Sequence, residues 1–327
     1  MSFRAYRVSE ENGQYVGQWQ ELDEQALPAG DILIEVHYSS LNYKDALSAS
    51  GHKGVTKAYP HTPGIDAAGR VLEGTADFPA GSEVVVFGYD LGMNTAGGFA
   101  EKIRVPASWV LHKPQALSMA DSMAWGTAGF TAALSVQKLL AVGVAPEKGA
   151  VVVTGATGGV GSVAVALLAK LGFEVLAVTG KAAQADFLQA LGAKDVLSRE
   201  TVLAAAGKAL AKPLYQAALD TTGGDMVSAL LPQIQNEGAL STCGMLAGTQ
   251  VSTSIFPFIL RGVSLLGVDS VEIPRAEKQR ILDKVASDWA LPNLNSLTVD
   301  VTPEQLSKSL ERIRSGQGVG RYRLKLN

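Results

Sequence analysis

The run Gly155-Ala156-Thr157-Gly158-Gly159-Val160-Gly161 lies between an apolar, strand-like segment, Ala150 to Thr154, and a helix-like segment from Val160 to Leu171. Glycines in that setting let the chain turn tightly, bring backbone N–H groups against a pyrophosphate, and let the helix pack close to the strand. The helix N-terminus adds partial positive charge where phosphates would sit. The strict G-x-G-x-x-G form is missing, because Ala156 takes the first glycine position. The strand-turn-helix context, with a second strand ending about 20 residues on, is what separates this loop from an ordinary glycine-rich turn. That second strand ends at Val178-Thr179-Gly180-Lys181. NAD-specific sites place a carboxylate there to accept from the adenosine ribose hydroxyls. Here Thr179 leaves a 2′-phosphate unopposed, and Lys181 and Arg199 offer cations. NADPH is the expected cofactor; a merely solvated Lys181 at a helix start is the competing reading.

The elements that must position such a site change character along the chain. Asp31 to His37 alternates apolar and polar residues, as a half-buried strand does. Glu83 to Phe87 and Phe99 to Val105 read as further strands, with glycine and proline between them as turns require. From Gly126 a small-residue helix runs to about Val142. Strands and helices then alternate: Ala150–Thr154, Val160–Leu171, Glu174–Val178, Ala182–Leu191, Asp195–Leu197, Ala217–Asp220, a helix through Leu231, and Ala239–Thr242. Such alternation implies a parallel, doubly wound sheet. The fold class expected from this alternation is α/β, a doubly wound parallel sheet following a β-rich segment.

The bulk properties narrow the function. Lys and Arg total 28 against 31 Asp and Glu, a net charge of −3 that gives no general support to nucleic-acid binding. A single cysteine, Cys243, precludes an intrachain disulfide. No signal peptide is visible, and apolar runs stop short of the roughly 18 to 20 residues a membrane span needs. A cytoplasmic protein is expected.

Several blocks resemble the medium-chain dehydrogenase/reductase superfamily: Leu41-Asn42-Tyr43-Lys44-Asp45, Pro63 to Gly69, Gly97 to Glu101, Thr127 to Ala132, the glycine loop, Leu191-Gly192-Ala193 and Asp220 to Gly224. The resemblance implies a GroES-like catalytic domain over residues 1–124 and 297–327, and a Rossmann NADPH-binding domain over 125–296. Zinc alcohol dehydrogenases of that superfamily carry Gly-His-Glu where this chain has Gly64-Ile65-Asp66. His37, His52, His61 and His112 show no ligand-like spacing, so no metal is expected. The chain looks like the quinone oxidoreductase branch, and within it most like the acrylyl-CoA reductase (YhdH-like) group, through Ser39 to Leu47, Pro63 to Asp66, Pro257 to Arg261 and Gly267 to Ser270. That group's pattern implies cofactor contacts at Tyr43, Thr157, Gly158, Gly159, Val160, Thr179, Gly180, Lys181, Arg199, Met245, Ile259, Ser270 and Arg321. Lys181 stands where the group carries arginine.

Without a metal, hydride transfer needs an electron-poor acceptor: an enone, an α,β-unsaturated thioester or a quinone. On the family match the expected reaction is reduction of acrylyl-CoA, with hydride reaching the β-carbon and a proton the α-carbon. The expected catalytic residues are Asn42, as a donor to the acceptor oxygen, Tyr43, as nicotinamide contact or proton relay, and Asp66, as an orienting carboxylate. A turn Asn, a core Tyr and a loop-capping Asp are the plainer readings of the same residues. Lys53 and Lys57 are candidate partners for CoA phosphates. A broad NADPH:quinone or enone reductase and a non-catalytic NADPH-binding protein are the alternatives. Relatives suggest a homodimer through sheet edges near Val263 to Val268.

Overall fold

Two antiparallel strands open the chain, and the reason is local. Asn12 and Gly13 both take positive φ, 53° and 79°, the backbone of a two-residue hairpin turn, and Glu11 faces Gln14 across it. The computed structural model describes residues 1–326, which divide into two units. Among these, the first unit comprises 1–127, 270–288 and 294–326; the second comprises 128–269 and 289–293.

The first unit is built on strands β1 (Ser2–Glu11), β2 (Gln14–Asp23), β3 (Ile32–Leu41), β4 (Asp66–Glu73), β5 (Glu83–Phe87), β6 (Lys102–Val105) and β7 (Val110–His112), with helix α1 (Tyr43–Ala49) after β3. Helix α2 (Met119–Ala141) leaves it and continues into the second unit. Late in the chain, β14 (Thr298–Val301) and β15 (Arg321–Lys325) return, and β15 pairs antiparallel with β3. The C-terminal segment thus completes a seven-stranded sheet, ordered β14-β15-β3-β4-β5-β7 with β6 also on β3. Its apolar faces close over Ile32, Ile34, Val36, Val84, Val86 and Ile103 on one side and over Tyr6, Leu41, Phe99, Leu310 and Leu324 on the other.

The second unit runs β8 (Val151–Val153), α3 (Gly159–Lys170), β9 (Val175–Val178), α4 (Ala185–Ala190), β10 (Asp195–Leu197), α5 (Arg199–Leu203), β11 (Tyr215–Asp220), α6 (Gly224–Leu230), β12 (Ile234–Thr242), α7 (Phe256–Arg261) and β13 (Ser264–Gly267). The six strands are all parallel, in the order β10-β9-β8-β11-β12-β13. This is the Rossmann order, with its reversal between β8 and β11. Val151, Val152 and Val153 are fully buried, as a strand covered on both faces must be.

Two sequence expectations shift. Helix α2 begins at Met119, not Gly126, and Gly126 breaks it at φ 48°, ψ −164°. Residues 270–288, read from sequence as part of the Rossmann segment, belong to the first unit. They include helix α8 (Arg275–Val285), whose buried Lys278 Nζ donates to Phe87 O at 2.9 Å and Val271 O at 2.8 Å. Helix α9 (Leu306–Arg314) packs on α1. No helix among the described residues is long and apolar enough to cross a membrane.

Candidate functional site

The first unit gathers a buried polar network at the junction of β3, α1 and β4. Ser40 and Asn42 come from the end of β3, Asp45 from the first turn of α1, Asp66 from the start of β4, Thr127 from α2 and Arg321 from β15. Asp66 is fully buried and accepts four hydrogen bonds. Asn42 Nδ2 and Thr127 N donate to its Oδ2 at 2.9 Å each, Ser40 Oγ donates to the same oxygen, and Thr127 Oγ1 donates to Oδ1. The Gly126 break is what makes room. A Cβ there would lie 2.5 Å from Ser40 Oγ, 2.7 Å from Asp66 Oδ2 and 2.8 Å from Arg321 Nη2. The interrupted helix also frees the Thr127 N–H to face Asp66.

Arg321 is 2% exposed and spends its guanidinium inside the network. Nε donates to Ala124 O at 2.9 Å, Nη1 to Asn42 Oδ1 at 3.3 Å and Nη2 to Ser40 Oγ at 3.0 Å. Ser40 Oγ therefore links the cation to Asp66. Burial pulls Arg321 down to about 10, against the Asp66 and Asp45 charges, so it stays protonated at neutral pH.

Asp45 is the functional residue that sequence reasoning passed over. Its Oδ1 accepts from the Gly64 and Ile65 amides at 3.1 and 2.8 Å, and its Oδ2 from the Asn42 amide at 2.8 Å. Burial, followed by the charge of Asp66, pushes it up to about 7 against the pull of those amides. The signal was present: an Asn at a helix start with an acid three residues on is capping-box spacing.

Asn42 is 8% exposed, with its amide shared between Asp66 and Arg321. Tyr43, the next residue, is 36% exposed. The network thus fixes the residue before the phenol while the phenol meets solvent. Such an arrangement can hold a donor toward a developing oxyanion or pass it a proton. Lys53 lies over the Tyr59 and Tyr15 rings at 4.8 and 5.5 Å, with Glu10 at 3.8 Å. The Lys57 amide donates to Asn94 Oδ1 at 3.3 Å. Ser270 is buried beside Val271, whose carbonyl accepts from Lys278.

In the second unit the expected nucleotide residues meet at the C-terminal ends of the strands. The loop after β8 turns at Gly155, φ 56°, and α3 starts at Gly159. A Cβ on Gly161 would sit 2.3 Å from Gly155 O, so the helix passes hard against the turn. Gly158, Gly159 and Val160 thereby form an open helix N-terminus suited to phosphate. Thr157 Oγ1 and Thr179 Oγ1 are 3.4 Å apart, and the Lys181 amide donates to Thr179 Oγ1 at 3.0 Å. The Arg199 guanidinium lies against Gly180, where a Cβ would meet its Nη2 at 2.5 Å. Glycine at 180 lets the guanidinium lie flat against the backbone there, beside Thr179 and Lys181. This donor set, cationic and free of a carboxylate at the strand end, fits a 2′-phosphorylated dinucleotide. Met245 and Ile259 are well exposed; Met245 lies near Gly223, at which a Cβ would be 3.1 Å from its Cα.

Burial, then the Asp220 charge, pushes the lone Cys243 thiol up to about 12, which rules it out as a nucleophile near neutral pH. Among the described residues, no three His, Cys, Asp or Glu side chains stand close enough to hold a metal ion.

Comparison with known proteins places these features. Residues 28–115 match the family described as alcohol dehydrogenase GroES-like domain, and residues 159–287 that described as zinc-binding dehydrogenase. The putative quinone oxidoreductase YhfP of Bacillus subtilis is 43% identical over 92% of each chain. The structure of YhfP with NAD bound agrees at TM-score 0.97, with 40% identity and all of both chains covered. The probable acrylyl-CoA reductase AcuI of Escherichia coli is 39% identical over 99% of this chain and 100% of its own. The yhdH oxidoreductase of Salmonella enterica, crystallised with NADP, agrees at TM-score 0.96 and 40% identity, over 99% of this chain and 100% of that one.

Proposed function

The chain belongs to the medium-chain dehydrogenase/reductase family, among the acrylyl-CoA reductases and YhfP-type quinone oxidoreductases, and from that premise we propose that it is an NADPH-dependent reductase of a small activated alkene, with acrylyl-CoA as substrate. The observation that carries the reading is the pairing of a solvent-facing Tyr43 phenol with a buried Asn42–Asp66–Arg321 network directly behind it.

Thr157 to Val160, Thr179 to Lys181 and Arg199 would hold NADPH, which would supply the hydride. The chain's own residues do the rest. Arg199 and Lys181 take the 2′-phosphate, where a carboxylate would repel it. The donor role expected of Asn42 falls instead to Tyr43, because the Asn42 Nδ2 is taken by Asp66 at 2.9 Å: the phenol O–H would reach the thioester oxygen as negative charge develops, or relay the proton to the α-carbon. Asp66 and Arg321 hold the two ends of the Asn42 amide and so orient the start of α1. Ser270, Met245 and Ile259 remain cofactor contacts in this reading. Arg321, expected as a cofactor contact, has its guanidinium on Ala124, Asn42 and Ser40, and in this reading acts through Asn42 and Ser40 instead.

A second reading, a quinone or enone reductase of broad range, is favoured by the 43% identity to YhfP. The test is oxidation of NADPH by purified protein with acrylyl-CoA, crotonyl-CoA and a simple quinone side by side. Rapid turnover of acrylyl-CoA is expected; turnover of the quinone alone would replace the thioester with the second reading. A homodimer through β13 fits the same proposal. That strand ends the Rossmann sheet and leaves Leu265 exposed, with Ile255, Phe256, Ile259 and Leu260 exposed nearby in sequence. Light scattering at micromolar concentration giving a monomer would exclude it.

A further inference from the structure

The Rossmann sheet reverses between β8 and β11, and open α/β sheets bind ligands in the crevice at that reversal. One carboxylate spans it. Asp220, the last residue of β11, is fully buried and accepts five hydrogen bonds. Its Oδ1 takes Thr154 Oγ1 at 2.7 Å, Thr222 Oγ1 at 2.8 Å and Thr222 N at 3.2 Å. Its Oδ2 takes Gly223 N and Thr242 Oγ1, both at 2.8 Å. Thr154 directly follows β8 and leads into the glycine-rich loop, and Thr242 ends β12. The turn at 221–224 opens α6. Three loop-bearing strand ends thus share one acceptor.

The loops then close on one another through backbone contacts. Thr221 Oγ1 donates to Thr154 O at 2.9 Å, and a Cβ on Gly155 would lie 2.3 Å from Thr221 Oγ1. The Ala247 amide donates to Thr222 O at 2.7 Å, and a Cβ on Gly244 would lie 1.8 Å from Thr221 O. Movement of the 221–224 turn is therefore passed to the glycine-rich loop on one side and to the 243–248 loop on the other.

We infer that Asp220 is a positioning residue for the cofactor, fixing these three loops in the arrangement that receives the dinucleotide. The inference rests on the NADPH reading above. Only a carboxylate meets the geometry. Each oxygen already faces one backbone N–H, Thr222 on one side and Gly223 on the other, and neither can turn away. An asparagine in either orientation sets its NH2 against one of them. The threonine hydroxyls could rotate to adapt; the amides could not.

The test compares NADPH and NADH dissociation constants, thermal midpoint and kcat for wild type, Asp220→Asn and Thr154→Val. Asp220→Asn is expected to weaken both cofactors equally, by about tenfold to a hundredfold. Its kcat at saturating NADPH should stay within about threefold of wild type. Thr154→Val keeps the shape and removes one donor, so a loss of about threefold to tenfold is expected, again for both cofactors. It decides the matter should the first variant fail to fold. A lowered thermal midpoint with unchanged dissociation constants would overturn the inference, reducing Asp220 to a fold-stabilising residue. A loss confined to NADPH would also overturn it, since loop geometry cannot distinguish the two cofactors. If wild type binds neither cofactor, the NADPH reading itself falls, and this inference with it.

Discussion

Each unit buries an aspartate that gathers neighbouring segments, and the two are surrounded differently. Asp66 in the first unit shares its pocket with a second carboxylate, Asp45, and a buried cation, Arg321, to which Ser40 connects it. The Asp220 carboxylate in the second unit accepts from threonine hydroxyls and backbone amides. A centre built from interacting charges changes its state when one member gains or loses a proton. A centre built from neutral donors mainly fixes geometry. The first suits a place where protons move; the second suits a cradle that receives a fixed shape.

Arg321→Met should separate them most sharply. It leaves Asp45 and Asp66 without their buried cation, which costs about 3–5 kcal/mol when one partner of such a set is removed. Urea denaturation measures this, and a loss under about 1 kcal/mol would mean that the first centre stands on its neutral hydrogen bonds as the second does.

Protonation of Asp45 is the next difference. Its carboxyl titrates at about 7 in the folded chain against an ordinary value of 3.8, so the folded state keeps a proton that the unfolded state has given up. The stability contributed by this group is therefore complete below about pH 4 and lost as the pH rises toward 7. NMR of isotope-labelled aspartate carboxyls should show one midpoint near 7. A midpoint below 5 for Asp45 would mean that neither burial nor the neighbouring Asp66 charge acts on it as described.

Tyr43→Phe should lower kcat by about a hundredfold while leaving the protein folded, the scale of a lost proton donor. Full activity with unchanged NADPH affinity would remove Tyr43 from the chemistry and leave the network behind it without a role in the reaction. The smallest effect is expected in the second unit. Lys181→Ala should weaken NADPH by about tenfold and spare NADH. Equal losses would move the 2′-phosphate away from Lys181.

The two units were not equally legible in the sequence. The Rossmann half announced itself through apolar runs such as Val151–Val153 and through a glycine loop at a fixed place between strand and helix, so its local pattern and its fold coincide. The first unit depends on pairings between distant segments. Nothing near Arg321 signals that β15 lies beside β3, and nothing near Thr127 signals that its amide meets Asp66. The Asn12-Gly13 turn and the Asn42–Asp45 spacing are local signals that the sequence carries in this unit. Glycine at 126 suggests a helix boundary; in the fold it is a break within α2, required by the closeness of Ser40, Asp66 and Arg321. Lys278 reads as an ordinary surface lysine on a polar helix, yet its amine is buried against the Phe87 and Val271 carbonyls.

The return of β15 to the edge of β3 also sets an order on synthesis. By the time β13 has emerged from the ribosome, every strand of the parallel sheet is available, and domains generally fold as units while the chain emerges. At that moment the N-terminal unit still lacks β14, β15 and the guanidinium that offsets its two acids. Asp45 and Asp66 therefore stay hydrated until β15 has emerged. The unit begun first is completed after the other, and its chemistry arrives with β15.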